Sequence, residues 1–421
     1  MRSLMCCFLV CLVLVGCSSY RPEQQQSGQQ NFPGTAQLQE ITSDLPEGYF
    51  EIRGLSAGAF TPSYWQKNTL NWVPDVRAPM LAAQTTSPYQ NIYAPWALEQ
   101  PNGWRLFYGG WDGSDTQNDR IYSVTTNDFL SFGNHALVID HGDFVHVNNE
   151  NVQQLADGSL HMICTAAPDA LNKPAYFSSP DGTTWNGSPE PYEAKLTDII
   201  SIDAYSGFSV GNFNGANVLL QDNGTWVLYF KDWAHLDATY WASSVSPPSF
   251  QFQGVAQKGN NFVNDVKKIT VGNQSWYVMG FVEIDPKQTV TYSLSNDGRN
   301  FPAEQFLFKN ISGQDLYIVA IGFVLKGNQL LGVLYGASAV ETLDQNQIFA
   351  RWLQKKVVIQ DDAGTHQNSI GSHGPDRQWF QVPASGTLQG VISLYAEDGV
   401  TPLAKGSFSV SSGKAYELVV N

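Results

Sequence analysis

The stretch Trp104-Arg-Leu-Phe-Tyr108, followed by Ile121-Tyr-Ser-Val-Thr-Thr-Asn-Asp128, is the first copy of a phrase that the chain repeats. Each copy joins two short runs of aromatic and branched residues, separated by Gly, Asn, Asp or Pro, which is typical of neighbouring strands. The later copies lie about 50 to 65 residues apart and begin at His161, Trp226, Trp276 and Leu330.

A repeat of this length, with several strands in each unit, predicts a β-propeller. Closing the units into a ring protects sheet edges that otherwise pair with other chains. The sequence shows no sustained 3.6-residue apolar pattern, so we expect an all-β fold with few helices. The prediction is a five-bladed β-propeller over residues 48–360, with blades at about 80–140, 141–200, 201–258, 259–310 and 311–360.

The two segments that flank the predicted propeller differ from it in composition. Residues 17–47 are rich in Gln and cannot bury enough apolar surface to fold alone, so we expect a flexible tether there. Residues 361–421 begin with a polar, Gly-rich stretch and continue with alternating runs at Thr387, Lys405 and Tyr416. These runs predict strands, either of a small C-terminal β-domain or of an extension packed on the propeller.

Residues 1–16 are expected to be an export signal, because Leu4 to Val15 is an apolar run too short for a comfortable membrane span. The run ends in Leu14-Val-Gly-Cys17, which resembles the lipobox of bacterial lipoproteins. The resemblance implies cleavage before Cys17, acylation of Cys17 with chains such as palmitate, and a membrane partner through that anchor. Ser18 after the cysteine fits an outer-membrane destination. An ordinary secretory signal with a chance cysteine is the alternative.

Charge and cysteine content exclude several classes of function. The formal net charge of −15 argues against a nucleic-acid partner, because a phosphate backbone is bound by clustered Lys and Arg. Beyond Cys17 the chain has only Cys164, so it has no disulfide framework, and apolar neighbours predict that Cys164 is a buried core residue. His141 and His146 lack the close spacing of a metal motif, so we expect neither metal nor cofactor.

Two turns resemble the Asp-box of sialidase-type propellers. They are Ser179-Pro-Asp181-Gly-Thr-Thr-Trp185 and Ser295-Asn-Asp297-Gly-Arg-Asn-Phe301. In such a turn the Asp accepts hydrogen bonds from backbone N–H groups while the Gly takes a positive φ. We therefore interpret Asp181 and Asp297 as turn residues rather than catalysts.

Candidate ligand-binding residues should lie just before each repeated phrase, where the innermost strand of each blade starts at the mouth of a central channel. These segments are rich in Trp and Asn, side chains that stack on sugar rings and hydrogen-bond sugar hydroxyls. We therefore predict a carbohydrate ligand, with Trp96 as a stacking platform and Asn149 and Asn217 as hydrogen-bonding groups. His146 and Asp112 are further candidate substrate-binding residues, although Asp112 fits a turn equally well.

At these positions the chain resembles the five-bladed glycosidases, the group that contains invertases, arabinanases and β-xylosidases. The resemblance covers roughly residues 75–355 and rests on the number of units, the Trp104–Gly110 strand and the Tyr-Ser-x-Ser-x-Asp-Gly turns. It implies a base on blade one, a modulating Asp on blade two and a general acid on blade three. The chain departs from this pattern, because Ala94-Pro95 stands where the family has Asp-Pro, and Ala216-Asn217 offers no acid.

Hydrolysis of a glycosidic bond needs two carboxyl groups that flank it, about 5 to 9.5 Å apart. Glu150 is the best candidate for one acid–base group, with Asp265 or Asp203 as its partner. The alternatives are structural: Glu150 as a carboxylate bonded to a neighbouring blade or to substrate without chemistry, and Asp265 in a salt bridge to Lys267 or Lys268.

The sequence therefore leaves three functions open. The first is a lipid-anchored, glycoside hydrolase-like propeller in the bacterial cell envelope that acts on or binds an oligosaccharide or polysaccharide. The second is a non-catalytic glycan-binding or assembly propeller, which the missing acids of blades one and three favour. The third is a scaffold that binds a protein partner on the face of the propeller.

Overall fold

The computed structural model describes residues 30–43, 45–83, 90–111, 118–215, 217–311, 313–367, 369–383 and 386–421. The expected export signal, Cys17 and Asp112 lie outside these ranges. Residues 32–421 form one compact unit. Within the described ranges the secondary structure is β-sheet except for the short helix Pro62–Trp65 and the 3-10 turn Leu196–Asp198. No helix among them has the length and apolar character needed to cross a membrane.

Five sheets of the described residues, antiparallel except at two outer edges, surround a central axis, and each contributes one innermost strand. Each innermost strand contacts the innermost strand of the next sheet, and the fifth contacts the first, so the ring is closed. The predicted all-β fold with five propeller blades is confirmed. The innermost strands are Asn91–Gln100, Val147–Gln154, Asn217–Asp222, Phe262–Val271 and Tyr317–Lys326.

The remaining strands complete blades one to four, in chain order except for the outer-edge strands Tyr192–Glu193 and Ser201–Asp203. Blade one adds Gly103–Trp111, Arg120–Thr126 and Gly133–Asp140, with Tyr192–Glu193 on its outer edge. Blade two adds Leu160–Ala166 and Lys173–Ser179, followed by a short hairpin of Thr184–Trp185 and Ser188–Pro189. Blade three adds Thr225–Asp232, His235–Ser244 and Ser249–Lys258, with Ser201–Asp203 on its outer edge. Blade four adds Gln274–Val282, Thr289–Ser295 and Gln305–Lys309.

Blade five combines strands from both ends of the propeller sequence. Gln329–Ser338 and Gln347–Leu353 follow its innermost strand, and its outermost strand, Trp72–Pro74, precedes blade one in the chain. Next to that strand, the buried carboxylate of Asp75 accepts a hydrogen bond of 2.8 Å from Trp352 Nε1. Because its outermost strand comes from the segment before blade one, blade five joins the two ends of the propeller sequence.

A nine-stranded sheet outside the propeller is also built from both ends of the chain. Gly34–Ile41 lies between Pro402–Ser411 and Lys414–Val420 and pairs with both. The prediction of a flexible tether is therefore wrong for this strand, and the strands after residue 361 do not form a C-terminal unit by themselves. The other members of the sheet are Tyr49–Arg53, Lys356–Asp361, His366–Gln367, Ser369–Ser372, Gln378–Gln381 and Thr387–Tyr395.

Two further predictions concern structural residues: the turn residues Asp181 and Asp297, and the core residue Cys164. Asp181 Oδ1 accepts hydrogen bonds from the N–H groups of Thr183 and Thr184, and Asp297 Oδ1 makes the same pattern in blade four. Their predicted role in β-turns is confirmed. Cys164 is fully buried in the core between blades, where burial raises the pKa of its thiol.

Candidate functional site

A β-bulge lies near the start of four of the five innermost strands. The register of strand pairing shifts between Tyr93 and Trp96, Asn148 and Asn151, Val263 and Asp265, and Ile318 and Ala320. Ala94 and Asn149 have a φ of 52° within these bulges. An inserted residue re-aims the side chains around it, and bulges are common beside binding sites. The channel is therefore lined by residues at these irregular positions.

Three cavities lined by described residues follow one another along the innermost strands. The mouth cavity, about 410 Å³, lies where the strands start and includes Asn149. The hub cavity, about 10 Å³, lies deeper and includes Asn149, Glu150 and Trp96. The far cavity, about 660 Å³, lies where the strands end and includes Trp96 and Gln154. Shared residues thus order the cavities from the mouth, through the hub, to the far side.

The mouth cavity combines aromatic rings with side-chain amides. Trp233 is 42% exposed, its ring lies 5.1 Å from that of Phe262, and its Nε1 donates a hydrogen bond to the Asn214 carbonyl. Rings of this kind cover the apolar face of a sugar, while amides donate to and accept from its hydroxyls. The other aromatic and amide residues of the lining are Tyr93, Trp111, Asn91, Asn148, Asn149 and Asn346.

A buried carboxylate, Asp119, lies in the wall of the mouth cavity. Its Oδ2 accepts hydrogen bonds from Tyr93 Oη at 2.8 Å and from Asn148 Nδ2 at 3.0 Å. Its Oδ1 has no hydrogen-bond partner among the described residues. Burial raises the pKa of Asp119, while the hydrogen bonds from Asn148 and Tyr93 oppose the rise. One oxygen is thus held in place by two hydrogen bonds, while the other is buried without a partner in the wall of the cavity.

Glu150 lies one layer deeper, in the wall of the hub cavity. It is 4% exposed, and neither carboxylate oxygen has a hydrogen-bond partner in the described part of the chain. Burial raises the pKa of Glu150 well above its ordinary value, and the charge of Asp119 raises it further. The environment therefore favours the protonated acid.

The other residues predicted to bind substrate are divided between the mouth and the hub. His146 lines the mouth cavity, with Nε2 2.7 Å from Asn172 Oδ1. Asn149 lines both cavities, whereas Asn217 is buried in the hub. Trp96 is also buried, and Lys267 Nζ lies 3.0 Å from the centre of its ring. Because that ring face is covered, Trp96 is not the predicted stacking platform.

The two candidate partners of Glu150 lie away from the mouth cavity. Asp265 is fully buried, forms an ion pair with Lys267 Nζ at 3.3 Å and accepts a hydrogen bond of 2.7 Å from the Phe323 N–H. The ion pair with Lys267 is the structural role that the sequence offered for Asp265 as an alternative to catalysis. Asp203 is exposed on the outer edge of blade three and lines none of the three cavities, so we do not carry it forward as a catalyst. In the described ranges, no three His, Cys, Asp or Glu side chains group as a metal site.

Sequence analysis missed Asp119 and Trp233 because both lie outside the innermost strands. Asp119 immediately precedes the third strand of blade one, and Trp233 lies in the turn between the second and third strands of blade three. Since neighbouring strands of a blade are antiparallel, this turn returns to the end where the innermost strand starts. Polar and aromatic residues in those turns are the signal that could have found them.

Solved structures that share this fold include glycoside hydrolases. The catalytic domain of a Coprinopsis cinerea GH62 α-L-arabinofuranosidase is 14% identical, with 68% of this chain and 98% of that chain covered and a TM-score of 0.50. A glycosyl hydrolase from Bacteroides ovatus is 10% identical, with 76% and 99% covered and a TM-score of 0.52. A GH62 hydrolase in complex with xylotriose is 9% identical, with 69% and 100% covered and a TM-score of 0.50.

At these identities the similarity shows the fold. In fold, the protein is a glycoside hydrolase-like five-bladed propeller. No protein-family model matches the chain, and no curated protein matches its sequence.

Proposed function

We propose that the protein binds an oligosaccharide in the mouth cavity. The observation that carries this proposal is the combination, in the lining of one open cavity of about 410 Å³, of the exposed Trp233 ring, several asparagine residues and Asp119. A sugar presents both an apolar face and a set of hydroxyls, which such a lining matches. A neighbour in fold holds xylotriose, which supports the same class of ligand.

Binding to a glycan array, followed by titration of the best oligosaccharide, tests the proposal. Trp233→Ala should weaken binding by about tenfold or more, because a central aromatic contact contributes strongly to binding. Phe306→Ala is the matched control, since Phe306 is an exposed aromatic residue on the outermost strand of blade four. Equal affinity of the two variants would place the sugar elsewhere.

Hydrolysis is the second candidate function, and the pair of Asp119 and Glu150 favours it. Glycoside hydrolysis needs one protonated acid and one ionised carboxylate. Burial raises the pKa of both carboxyl groups, but hydrogen bonds from Asn148 and Tyr93 oppose the rise at Asp119, so the proton is favoured on Glu150. The hub cavity beside Glu150, about 10 Å³, is of the size of one water molecule, through which a proton can be relayed.

A release assay on the sugars that bind separates hydrolysis from binding alone. If the pair is catalytic, E150Q and D119N should each abolish product release, and E150Q should still bind the sugar. Binding by the wild type without any product supports a non-catalytic glycan-binding propeller. Product release that survives E150Q would remove Glu150 from the mechanism.

We also propose that Cys17 carries a lipid anchor that holds the protein in the bacterial cell envelope, at the outer membrane. The proposal rests on the apolar run that ends in Leu14-Val-Gly-Cys17. Metabolic labelling with palmitate should label the wild type and the C164S control but not C17S. Fractionation should then find C17S released from the membrane, and an unlabelled wild type would contradict the anchor.

A further inference from the structure

Lys287 is a lysine in the wall of the mouth cavity whose ammonium group faces aromatic rings. Its Nζ lies 5.1 Å from the centre of the Phe262 ring and 5.8 Å from that of Tyr317. No carboxylate oxygen in the described part of the chain lies within 4.0 Å of this nitrogen. Burial lowers the pKa of Lys287 to about 8, and only the more distant Asp285 opposes that change.

The backbone holds Lys287 in this place. Lys287 has a φ of 59°, in the left-handed region that a lysine rarely adopts. Its carbonyl accepts a hydrogen bond of 2.7 Å from the N–H of Ile318, which belongs to the innermost strand of blade five. Strained backbone of this kind clusters at functional sites. The loop between the second and third strands of blade four therefore presents the ammonium group to the cavity instead of leaving it to solvent.

An ammonium group that is partly removed from water and lacks a counter-ion is satisfied best by an anion. The net charge of −15 gives the protein no general attraction for acidic polymers, so a preference for an acidic ligand has to come from such a local group. The other titratable groups of the cavity are Tyr93, Asp119, His146 and the exposed Asp344, so Lys287 is the only lysine or arginine among the described lining residues.

We propose that the mouth cavity selects a sugar with an anionic substituent, a uronate carboxylate or a sulfate ester, whose charge pairs with Lys287. This inference rests on the proposed glycan-binding function and names its ligand class. In this arrangement the sugar ring packs against Trp233 and Phe262, and the side-chain amides hydrogen-bond to its hydroxyls. The ammonium group then discriminates between acidic and neutral sugars.

Paired oligosaccharides test the inference. One arm compares trigalacturonic acid with its carboxyl-reduced counterpart, and the other compares a heparin-derived oligosaccharide with its desulfated counterpart. The variants are K287M, which keeps the length of the side chain and removes its charge, and K326M as the control. Lys326 is an exposed lysine at the far end of the innermost strand that begins with Tyr317.

The wild type and K326M should bind the acidic member of at least one pair on the order of tenfold to a hundredfold more tightly than the neutral member. K287M should lose that preference, and the arm that shows the effect identifies carboxylate or sulfate. Equal binding of acidic and neutral members by the wild type, or a preference that survives in K287M, overturns the inference and leaves glycan binding standing. Absence of binding to every probe overturns the inference, and only absence of binding to the whole glycan array overturns the proposed function as well.

Discussion

Replacing Lys267 by Met removes the ammonium group that neutralises Asp265 in the channel wall. Lys267 Nζ lies 3.3 Å from Asp265 Oδ2, and both side chains are buried. The Met side chain keeps an apolar stem against the Trp96 ring, so the substitution mainly tests the charge. Breaking a buried ion pair by removing one partner costs about 3 to 5 kcal/mol, and we expect K267M to lose about that much free energy of unfolding near pH 7.5.

The loss should shrink in acid, because protonation of Asp265 removes the unpaired charge. Burial raises the pKa of Asp265 from 3.8 to about 6, and Lys267 opposes the rise, so removing Lys267 raises the pKa further. Stability falls by about 1.4 kcal/mol for each pH unit over which the folded state holds a proton that the unfolded chain has released. Between about pH 5 and about pH 7.5, the folded wild type holds this extra proton over about 1 pH unit, whereas folded K267M holds it over up to about 2.5 pH units. The difference in free energy of unfolding between the wild type and K267M should therefore grow by about 2 kcal/mol from the lower to the higher pH.

Unfolding in urea at the two pH values measures both quantities. The double variant D265N/K267M is the control, because its amide oxygen still accepts the hydrogen bond from the Phe323 N–H and no charge is left unpaired. The double variant should stay within about 1 kcal/mol of the wild type at both pH values. An equal loss for K267M at both pH values, or a double variant as unstable as K267M, would refute this account of the pair.

Three further substitutions test the fold by urea unfolding. D75A should cost about 3 kcal/mol, because it leaves the buried Trp352 Nε1 at the closure of blade five without its acceptor; a loss below about 1 kcal/mol would contradict that closure. D297A should cost about 1 to 2 kcal/mol by removing the acceptor of its turn and should leave glycan binding unchanged; weakened binding on the array would contradict a purely structural turn. G322A should cost about 3 kcal/mol, because a Cβ there would lie 2.0 Å from the Pro95 carbonyl oxygen, and wild-type stability would contradict the close contact of blades five and one.

The ring of blades was predictable because its signal is repeated within the chain. The second strand of each blade is largely buried on both faces between neighbouring blades, so it needs aromatic and branched residues in every copy. The positions of the innermost strands could then be predicted, because each innermost strand lies just before a repeated phrase in the sequence. Their starts at Asn91, Val147 and Phe262 lie within one residue of the predicted segments.

Strands at the ends of the chain were not predictable in the same way. Gly34–Ile41 buries only Ala36 among its residues, and its partner Lys414–Val420 lies at the other end of the chain. Trp72–Pro74 buries only Val73 and pairs with Leu353 and its neighbours. Such strands are held by pairing with distant backbone rather than by a local apolar pattern, so a scan along the sequence finds no signal for them.

The candidate site was predictable only where it belongs to the innermost strands. Glu150 and Asn149 are there, and the ion pair of Asp265 and Lys267 follows from strand geometry, because residues two apart lie on the same face. Asp119 and Lys287 come from connections outside those strands, and only the folded ring brings them to the same cavity. Their contribution depends on tertiary position rather than on a motif.

A crystal structure of the protein with the oligosaccharide that binds best on the array tests the central claim most directly. The account predicts a sugar ring against Trp233 in the mouth cavity, with hydroxyls within hydrogen-bonding distance of the asparagine amides of its lining. A sugar bound in the far cavity or on the nine-stranded sheet, with the mouth cavity holding none, would contradict it.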